Sequence, residues 1–314
     1  LSAATAEPPA VSIIVVTWNC RDLALRCLGD IHASRIGRSF EVIVVDNAST
    51  DGTVAAVAAA YPATRLIANA ANHGYARANN QAIAIAAGRD LLLLNPDAFP
   101  TGQATFAALL TALDTHPEYA AIGCRLVHPD GRHQVGDAGW RPSPVHVVVH
   151  ALGLAHVLRG AHGLFLVRPP RHAAPIDVDW ICGACLLVRA DAVRRHGGLD
   201  EAFFMYAEDV AFGCRLRDAG LRLGYLPGEA VLHMQGGTRA DAGPSTGWLD
   251  SLARLYAAMN GGRHWFTFRA AMGAGFLLRA GAYRVLALRR GPAMTLRARA
   301  MAAYARHAWR LQLP

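Results

Sequence analysis

Uninterrupted apolar runs of strand length constrain this chain most. Val11–Thr17 (VSIIVVT), Phe40–Asp46 (FEVIVVD) and residues 90–95 (DLLLLN) show no polar alternation, as expected of strands buried on both faces of a parallel sheet. Helical spacing fills the gaps: Leu23, Leu25, Leu28 and Ile31 after the first run, residues 75–87 closed by Gly88 before the last, and residues 103–115 after it. Residues 47–52 carry turn chemistry, with Ser49 or Thr50 placed to cap a helix running to Ala60. A shorter strand is expected at Arg65–Ala68. Strands and helices alternating at this spacing predict an α/β fold with right-handed crossovers.

After about residue 120 the rhythm loosens. Strands are expected at 121–127 and 178–188, flanking a poorly patterned middle, 128–176, rich in His, Pro and Gly. A helix is expected at 208–219, closed by Gly220, then short strands near 222–226 and 230–233. From about Trp248 the chain reads as helical, with a break at Gly261-Gly262. These patterns divide it into a tail (1–10), an α/β domain (11–244) and a basic helical extension (245–314).

Charge follows the same division. All 31 basic residues are Arg, the last acid is Asp250, and ten arginines lie between Arg263 and Arg310. The net +8 therefore leaves residues 1–260 with 21 basic against 23 acidic side chains, a net −2. A nucleic-acid-binding domain more often carries its basic patch on the folded body, and RNA binding through the tail lacks a recognised module. With 53% hydrophobic and 17% charged residues, the chain is not of disordered composition. Six cysteines lie mostly in apolar segments, and the Cys182/Cys185 CxxC has no second pair at zinc-ribbon spacing; a structural role and a reducing, cytoplasmic compartment are expected. Residues 1–10 lack the basic start and apolar run of a signal peptide. Residues 142–158 are broken by Pro144 and three histidines, and 270–278 is only nine residues between arginines; neither reaches the about 20 apolar residues of a spanning helix.

Ligands of open α/β sheets bind beyond the carboxyl ends of the strands. Here those ends carry Thr17 and Asn19, Asp46 and Asn47, and Asn95 and Asp97. The first strand runs into Thr17-Trp18-Asn19-Cys20 rather than GxGxxG, and no GxxxxGK[ST] exists in a chain without lysine; a P-loop ATPase is excluded and a dinucleotide dehydrogenase disfavoured. Asp46 fits either an acceptor for a nucleobase or ribose, or a simple turn aspartate. Asp97, presented after Pro96, fits either a ligand for a cation bridging phosphates or a loop aspartate. Glu208 and Asp209 fit either favourable acids at a helix start or, beside Phe203-Phe204-Met205-Tyr206, a carboxylate tuned as a general base. His233, ahead of Gly236-Gly237-Thr238, gains interest only through its neighbours.

Taken in order, these pieces resemble the family 2 glycosyltransferases with the GT-A fold, in particular the bacterial rhamnosyltransferase-like branch. The matching stretches are 11–19 (VSIIVVTWN), 41–52 (EVIVVDNASTDG), 72–80 (NHGYARANN), 91–97 (LLLLNPD), 179–188 (DWICGACLLV), 197–209 (GGLDEAFFMYAED) and 233–238 (HMQGGT), together spanning about residues 11–240. Each alone is weak and the ordered set is specific. The resemblance implies a mostly parallel sheet flanked by helices, with the C-terminal helical extension appended. It implies that Thr17, Asn19 and Asp46 contact base and ribose, and that Arg77 and Asn80 line the donor pocket. Asn95-Pro96-Asp97 stands at the family's DxD signature, so Asp97 is expected to bind Mg²⁺ or Mn²⁺ on the donor diphosphate, with His233 as a further metal or diphosphate contact. Asn95 replaces the first carboxylate of that signature, which leaves the ion fewer negative charges. Asp209 is expected to be the base, Glu208 to support the acceptor, and Gly183 with Ala184 to shape the donor–acceptor junction.

The implied reaction is inverting, metal-dependent transfer of a sugar from a nucleoside-diphosphate donor, with dTDP-rhamnose favoured, to a glycan or polyprenyl-linked acceptor in cell-surface polysaccharide synthesis. The rival is a non-catalytic nucleotide-sugar-binding or scaffold protein with a degenerate site; retention of Asp97, Asp209 and His233 together argues against it. In the tail, Arg299, Arg306 and Arg310 share one helical face while Met301, Tyr304, Ala308 and Leu311 lie opposite. A basic amphipathic helix suits an anionic membrane surface, and a helix packed on the body with a solvated Arg face is the alternative. The expected location is cytoplasmic, at the inner face of the cell membrane, with no nucleic-acid partner.

Overall fold

A computed structural model describes residues 7–158, 160–170, 172, 174–234 and 246–313. The Gly236-Gly237-Thr238 stretch, the expected domain boundary near residue 244 and the start of the N-terminal tail lie outside the described residues. The chain divides into two compact units: one of Leu1–Ala138, Pro169–Phe204 and Glu208–Ala240, the other of Gly139–Arg168, Met205–Ala207 and Asp241–Pro314. The middle segment 139–168, without clear pattern in the sequence, thus clusters with the C-terminal helices.

The first unit opens with β1 (Val11–Thr17), α1 (Arg21–Ala33), β2 (Phe40–Asp46), α2 (Thr53–Ala60), β3 (Arg65–Ala68), α3 (Tyr75–Ile85) and β4 (Asp90–Leu94). It continues with β5 (Ala98–Pro100), α4 (Thr105–Thr115) and β6 (Tyr119–Val127), and a short strand β7 (Ala138–Gly139) ends the segment. After the second unit's helix α5 (Pro144–Leu152) come β8 (Ile176–Val178), β9 (Trp180–Ile181), β10 (Cys185–Arg189), α6 (Ala190–His196), α7 (Glu208–Asp218) and β11 (Arg222–His233). Among the described residues, nine strands make one sheet in the order β3-β2-β1-β4-β10-β6-β11-β5, with β8 on β11. The strands β3, β2, β1 and β4 are parallel; β10 is antiparallel to both β4 and β6, and β11 runs parallel to β6. Every residue of β1 and β4 is buried, which is why their sequences are apolar without alternation. Each fully buried Ile or Val there contributes roughly 1.5–3 kcal/mol.

Three local expectations are corrected. The run 178–188 is not one strand: β8, β9 and β10 divide it, and Gly183-Ala184 form a turn before β10. The two strands expected at 222–233 are one, β11, with an irregularity between Leu226 and Ala230. Neither Ser49 nor Thr50 caps α2. The N-cap is Gly52, and Asp51 before it accepts the Thr53 N–H on Oδ1 at 3.1 Å while its Oδ2 accepts the Arg21 N–H at 2.9 Å at the start of α1. One carboxylate thus serves two helix N-termini.

The second unit is helical: α5, α8 (Gly247–Asn260), α9 (Trp265–Arg290) and α10 (Pro292–Arg310). Its core gathers Val147, Leu249, Tyr256, Phe268, Phe276 and Ala308. Of the two readings of the α10 wheel, the packing matches the packed helix with a solvated Arg face. Ala308 and Leu311 are buried in this core and Met301 and Tyr304 pack on it, so the apolar face of α10 is occupied within its own unit while Arg299, Arg306 and Arg310 stay exposed. The helix α9 carries a set of exposed apolar side chains: Phe266, Leu277, Leu278, Val285 and Leu288. The expectation that nothing in the tail reaches spanning length is also corrected. Among the described residues, Trp265–Arg289 forms one helix long and apolar enough to cross a membrane, with an 18-residue window of mean hydropathy 1.2. Arg269 and Arg279 do not interrupt the helix; their guanidiniums donate to Trp309 O at 2.7 Å and His150 O at 3.4 Å.

Candidate active site

The sheet order collects the chemistry at one edge. In this mixed sheet β1, β2, β4, β6 and β11 point the same way. Thr17, Asp46, the Asn95 turn and His233 therefore sit at a common edge. Because β10 runs opposite, with Cys185 beside Leu94, its preceding residues Gly183 and Ala184 reach that edge too.

At the β1/β2 end, Thr17 and Asp46 are the floor rather than the surface. Both are buried, and the Thr17 hydroxyl donates to Asp46 Oδ2 at 2.8 Å. Ser49 donates its N–H to Asp46 Oδ1 at 2.8 Å and its hydroxyl to Oδ2 at 2.6 Å. Of the two roles open to Asp46, the turn role is thus filled by visible bonds. Asn19 is the exposed member. Its Oδ1 accepts the Thr50 N–H at 2.7 Å and its own N–H donates to Ser49 Oγ at 2.8 Å, locking the two turns together. Asn19 and Ala48 take positive φ (49° and 64°), and so do Tyr206 and Ala207 (70° and 69°) just before Glu208. Non-glycine residues in that region mark turns held by their surroundings and are enriched at functional sites.

On α3 the two expected pocket residues differ. Arg77 is exposed. Asn80 is committed: its Nδ2 donates to Leu199 O at 2.8 Å and its Oδ1 accepts the Leu199 N–H at 2.9 Å, with Glu201 Oε1 3.0 Å from Nδ2. The carboxamide imitates a strand partner and anchors the loop between α6 and α7.

Asp97 and His233 meet because β5 and β11 pair with Ala98 opposite His233, and the Met234 N–H donates to Asp97 O at 3.0 Å. Their side chains are 13% and 11% exposed, with His233 Nε2 3.3 Å from Asp97 Oδ1. Asn95 Nδ2 is 3.3 Å from the same Nε2, while Asn95 Oδ1 is buried without a partner. A carboxylate, an imidazole nitrogen and an orphaned amide oxygen fit a hard divalent cation. No cluster of three His, Cys, Asp or Glu occurs among the described residues, so a cation at this pair would have to draw its remaining coordination from other oxygens.

The Gly183-Ala184 turn ties this corner to the acidic pair. Ala184 O accepts the Asn95 N–H at 3.0 Å, and the Gly183 N–H donates to Asp209 Oδ2, also at 3.0 Å. Gly183 O accepts the Tyr75 hydroxyl at 2.7 Å, and a Cβ on Gly183 would lie 2.9 Å from that hydroxyl. Tyr75 went unnoticed in the sequence, where it reads only as the first residue of a helix.

Glu208 and Asp209 occupy different environments. Glu208 is buried with Oε2 unpartnered. Burial, then the neighbouring Asp209 charge, push its pKa up to about 8. Asp209 is half-buried; burial raises its pKa too, opposed by the Gly183 and Val210 amides and the Cys182 thiol. Burial and like charge act together on Glu208, which keeps its proton at neutral pH, while Asp209 lies at the helix N-terminus, where the dipole and the Gly183 and Val210 amides favour its charged form.

This sheet order, with a carboxylate after β4 and an acidic pair opening α7, is that of a GT-A glycosyltransferase fold. The chain belongs to the family 2 glycosyltransferases. Residues 12–158 match the family model "Glycosyl transferase family 2" and residues 163–309 match "Glycosyl transferase family group 2". The chain is 35% identical over 207 residues to an N-acetylglucosaminyl-diphospho-decaprenol L-rhamnosyltransferase of Mycobacterium tuberculosis, covering 62% of this chain and 67% of the relative. It is 30% identical over 256 residues to O-antigen biosynthesis protein RfbC of Myxococcus xanthus, covering 78% of this chain and 19% of that one. Among solved structures it resembles the mannosyltransferase PcManGT from Pyrobaculum calidifontis in complex with GDP-Man and Mn²⁺, with a TM-score of 0.63, 21% identity, and coverage of 96% of this chain and 86% of that one. That last likeness concerns the fold. The chain is a glycosyltransferase of the rhamnosyltransferase-like branch.

Proposed function

We propose that the protein is an inverting, divalent-metal-dependent glycosyltransferase. It moves a sugar, rhamnose from dTDP-rhamnose, to a hydroxyl of a polyprenyl-diphosphate-linked glycan in bacterial cell-surface polysaccharide synthesis. The observation that carries this reading is the chain of bonds from His233 of the Asp97–His233 pair through Asn95, Ala184 and Gly183 to Asp209. The mycobacterial relative supports the choice of sugar and of acceptor class.

Asp97, His233 and the Asn95 amide oxygen would hold Mg²⁺ or Mn²⁺ at the donor diphosphate. Bound there, the ion would offset the charge of the departing diphosphate. Asn19 in its turn and Arg77 on α3, both exposed, face the nucleotide, with Thr17, Asp46 and Asn80 supporting from beneath. Asp209 takes the proton of the acceptor hydroxyl, whose oxygen attacks the anomeric carbon from the side opposite the leaving group. Glu208, neutral, lies beside it and supports the acceptor without a second negative charge.

The second unit gives the acceptor's setting. Exposed Leu277, Leu278 and Leu288 on α9, in a stretch from Arg263 onward whose only charged side chains are arginines, suit an anionic membrane surface and support a location at the inner face of the cell membrane. The test is a transfer assay with dTDP-, UDP- and GDP-sugars on polyprenyl-diphospho-N-acetylglucosamine, with Mn²⁺, with Mg²⁺ and with EDTA. Metal-dependent transfer from dTDP-rhamnose is expected. Donor binding without transfer or hydrolysis would instead identify a non-catalytic binding protein.

A further inference from the structure

The loop between β6 and β7 belongs to none of the motifs, yet it delivers a side chain to the Asp97–His233 corner. Gln134 is 3% exposed, and its Oε1 lies 2.8 Å from His233 Nδ1. The loop that carries it is rigidly held. The Gln134 N–H donates to Leu126 O at 2.8 Å, and His133 bridges back to Val127. The buried Asp137 takes His133 Nε2 at 2.9 Å and the Tyr225 hydroxyl at 2.6 Å on the same oxygen. On its other side the His233 ring meets Asn95 Nδ2 and Asp97 Oδ1, both 3.3 Å from Nε2. An amide oxygen on Nδ1 and an amide N–H on Nε2 are satisfied together by one neutral tautomer, with the proton on Nδ1 and the lone pair on Nε2.

We propose that Gln134 is a positioning residue: its side-chain oxygen accepts the Nδ1–H of His233 and so turns an unprotonated Nε2 toward Asp97, presetting the pair for a divalent cation. Imidazole ligands are ordinarily fixed in this way by an acceptor on the far nitrogen. The inference rests on the metal-bound donor reading above, but the tautomer it requires is a property of the metal-free protein.

The first test is therefore the His233 tautomer, read by long-range ¹H–¹⁵N correlation of the metal-free wild type at pH 8, with His233→Asn to assign the signal. A proton on Nδ1 is expected; a proton on Nε2 overturns the inference whatever the metal does. The second is Mn²⁺ retention in the presence of UDP, dTDP or GDP, followed by the electron paramagnetic resonance signal of free Mn²⁺. Gln134→Leu should weaken retention about 10–100-fold, while Gln134→Glu, which keeps an acceptor on Nδ1–H, should restore it to near wild type. Wild-type retention in Gln134→Leu alongside its loss in Asp97→Ala overturns the Gln134 role alone, as does equal loss in the Leu and Glu variants. No retention by the wild type with any of the three nucleotides overturns the metal reading and this inference with it. If Gln134→Leu does not fold, the wild-type tautomer decides.

Discussion

Gly183 donates its N–H to Asp209 Oδ2 at 3.0 Å, and this bond fixes the Asp209 carboxylate relative to the strand that borders the Asn95 turn. The same residue accepts the Tyr75 hydroxyl, so no space remains for a side chain. Gly183→Ala is expected to cost about 1–3 kcal/mol of stability through overpacking. Tyr75→Phe should recover part of that cost, because the clash is with the phenol oxygen. Urea unfolding of the two single variants and the double variant measures the coupling, and simple additivity would contradict the contact.

Asp97→Ala should remove the metal-dependent part of donor binding and leave the nucleoside contacts. Calorimetric titration with dTDP, with and without Mn²⁺, checks this. Equal affinities in the two conditions are expected for the variant but not for the wild type.

Glu208 ties stability to pH. Its pKa in the folded protein, about 8, lies above its ordinary 4.5. The stability it contributes is therefore complete below about pH 4.5 and is lost as pH rises through about 8. Glu208→Gln stays neutral and should lack this slope. Between pH 5 and 8 the wild type is expected to lose ~3 °C or more of Tm relative to the variant, about the effect of 1 kcal/mol in a domain this size. Parallel Tm–pH curves would contradict a buried, protonated Glu208.

Much of this was legible in the sequence, for reasons that can be stated. β1, β2 and β4 are buried on both faces, so their apolar runs have no alternation to misread, and the polar residues ending them mark the ligand edge. What the sequence hid depends on long-range pairing. The antiparallel insertion of β10 between β4 and β6 is what brings Gly183 to Asp209, and no local pattern encodes it. Gln134 sits in a loop whose order comes from Asp137 and Tyr225, 88 residues apart. Asp46, open in the sequence to a nucleoside contact or a turn role, has its carboxylate bonded by Thr17 and Ser49, a pairing between two strand ends that local pattern does not encode. The α10 wheel was real, but its apolar face meets Phe276, Trp248 and their neighbours rather than lipid.

That last point moves the expected membrane contact to α9. Leu277→Glu with Leu278→Glu changes two exposed side chains, 60% and 65% accessible, and should leave the fold intact. In flotation with anionic phosphatidylglycerol vesicles the double variant is expected to bind at least ~10-fold more weakly, since burying one Leu is worth roughly 1.5–3 kcal/mol. Unchanged flotation would remove α9 from the contact.

The central claim, that Asp209 is the base of a sugar transfer at this sheet edge, is tested most directly by Asp209→Asn. The substitution is nearly isosteric, and its amide oxygen can still accept the Gly183 N–H. Single-turnover transfer from the nucleotide sugar to the lipid-linked acceptor should fall ~10²–10⁴-fold, while donor affinity measured on the same preparation stays within error of wild type. Transfer at near wild-type rate would contradict the assignment.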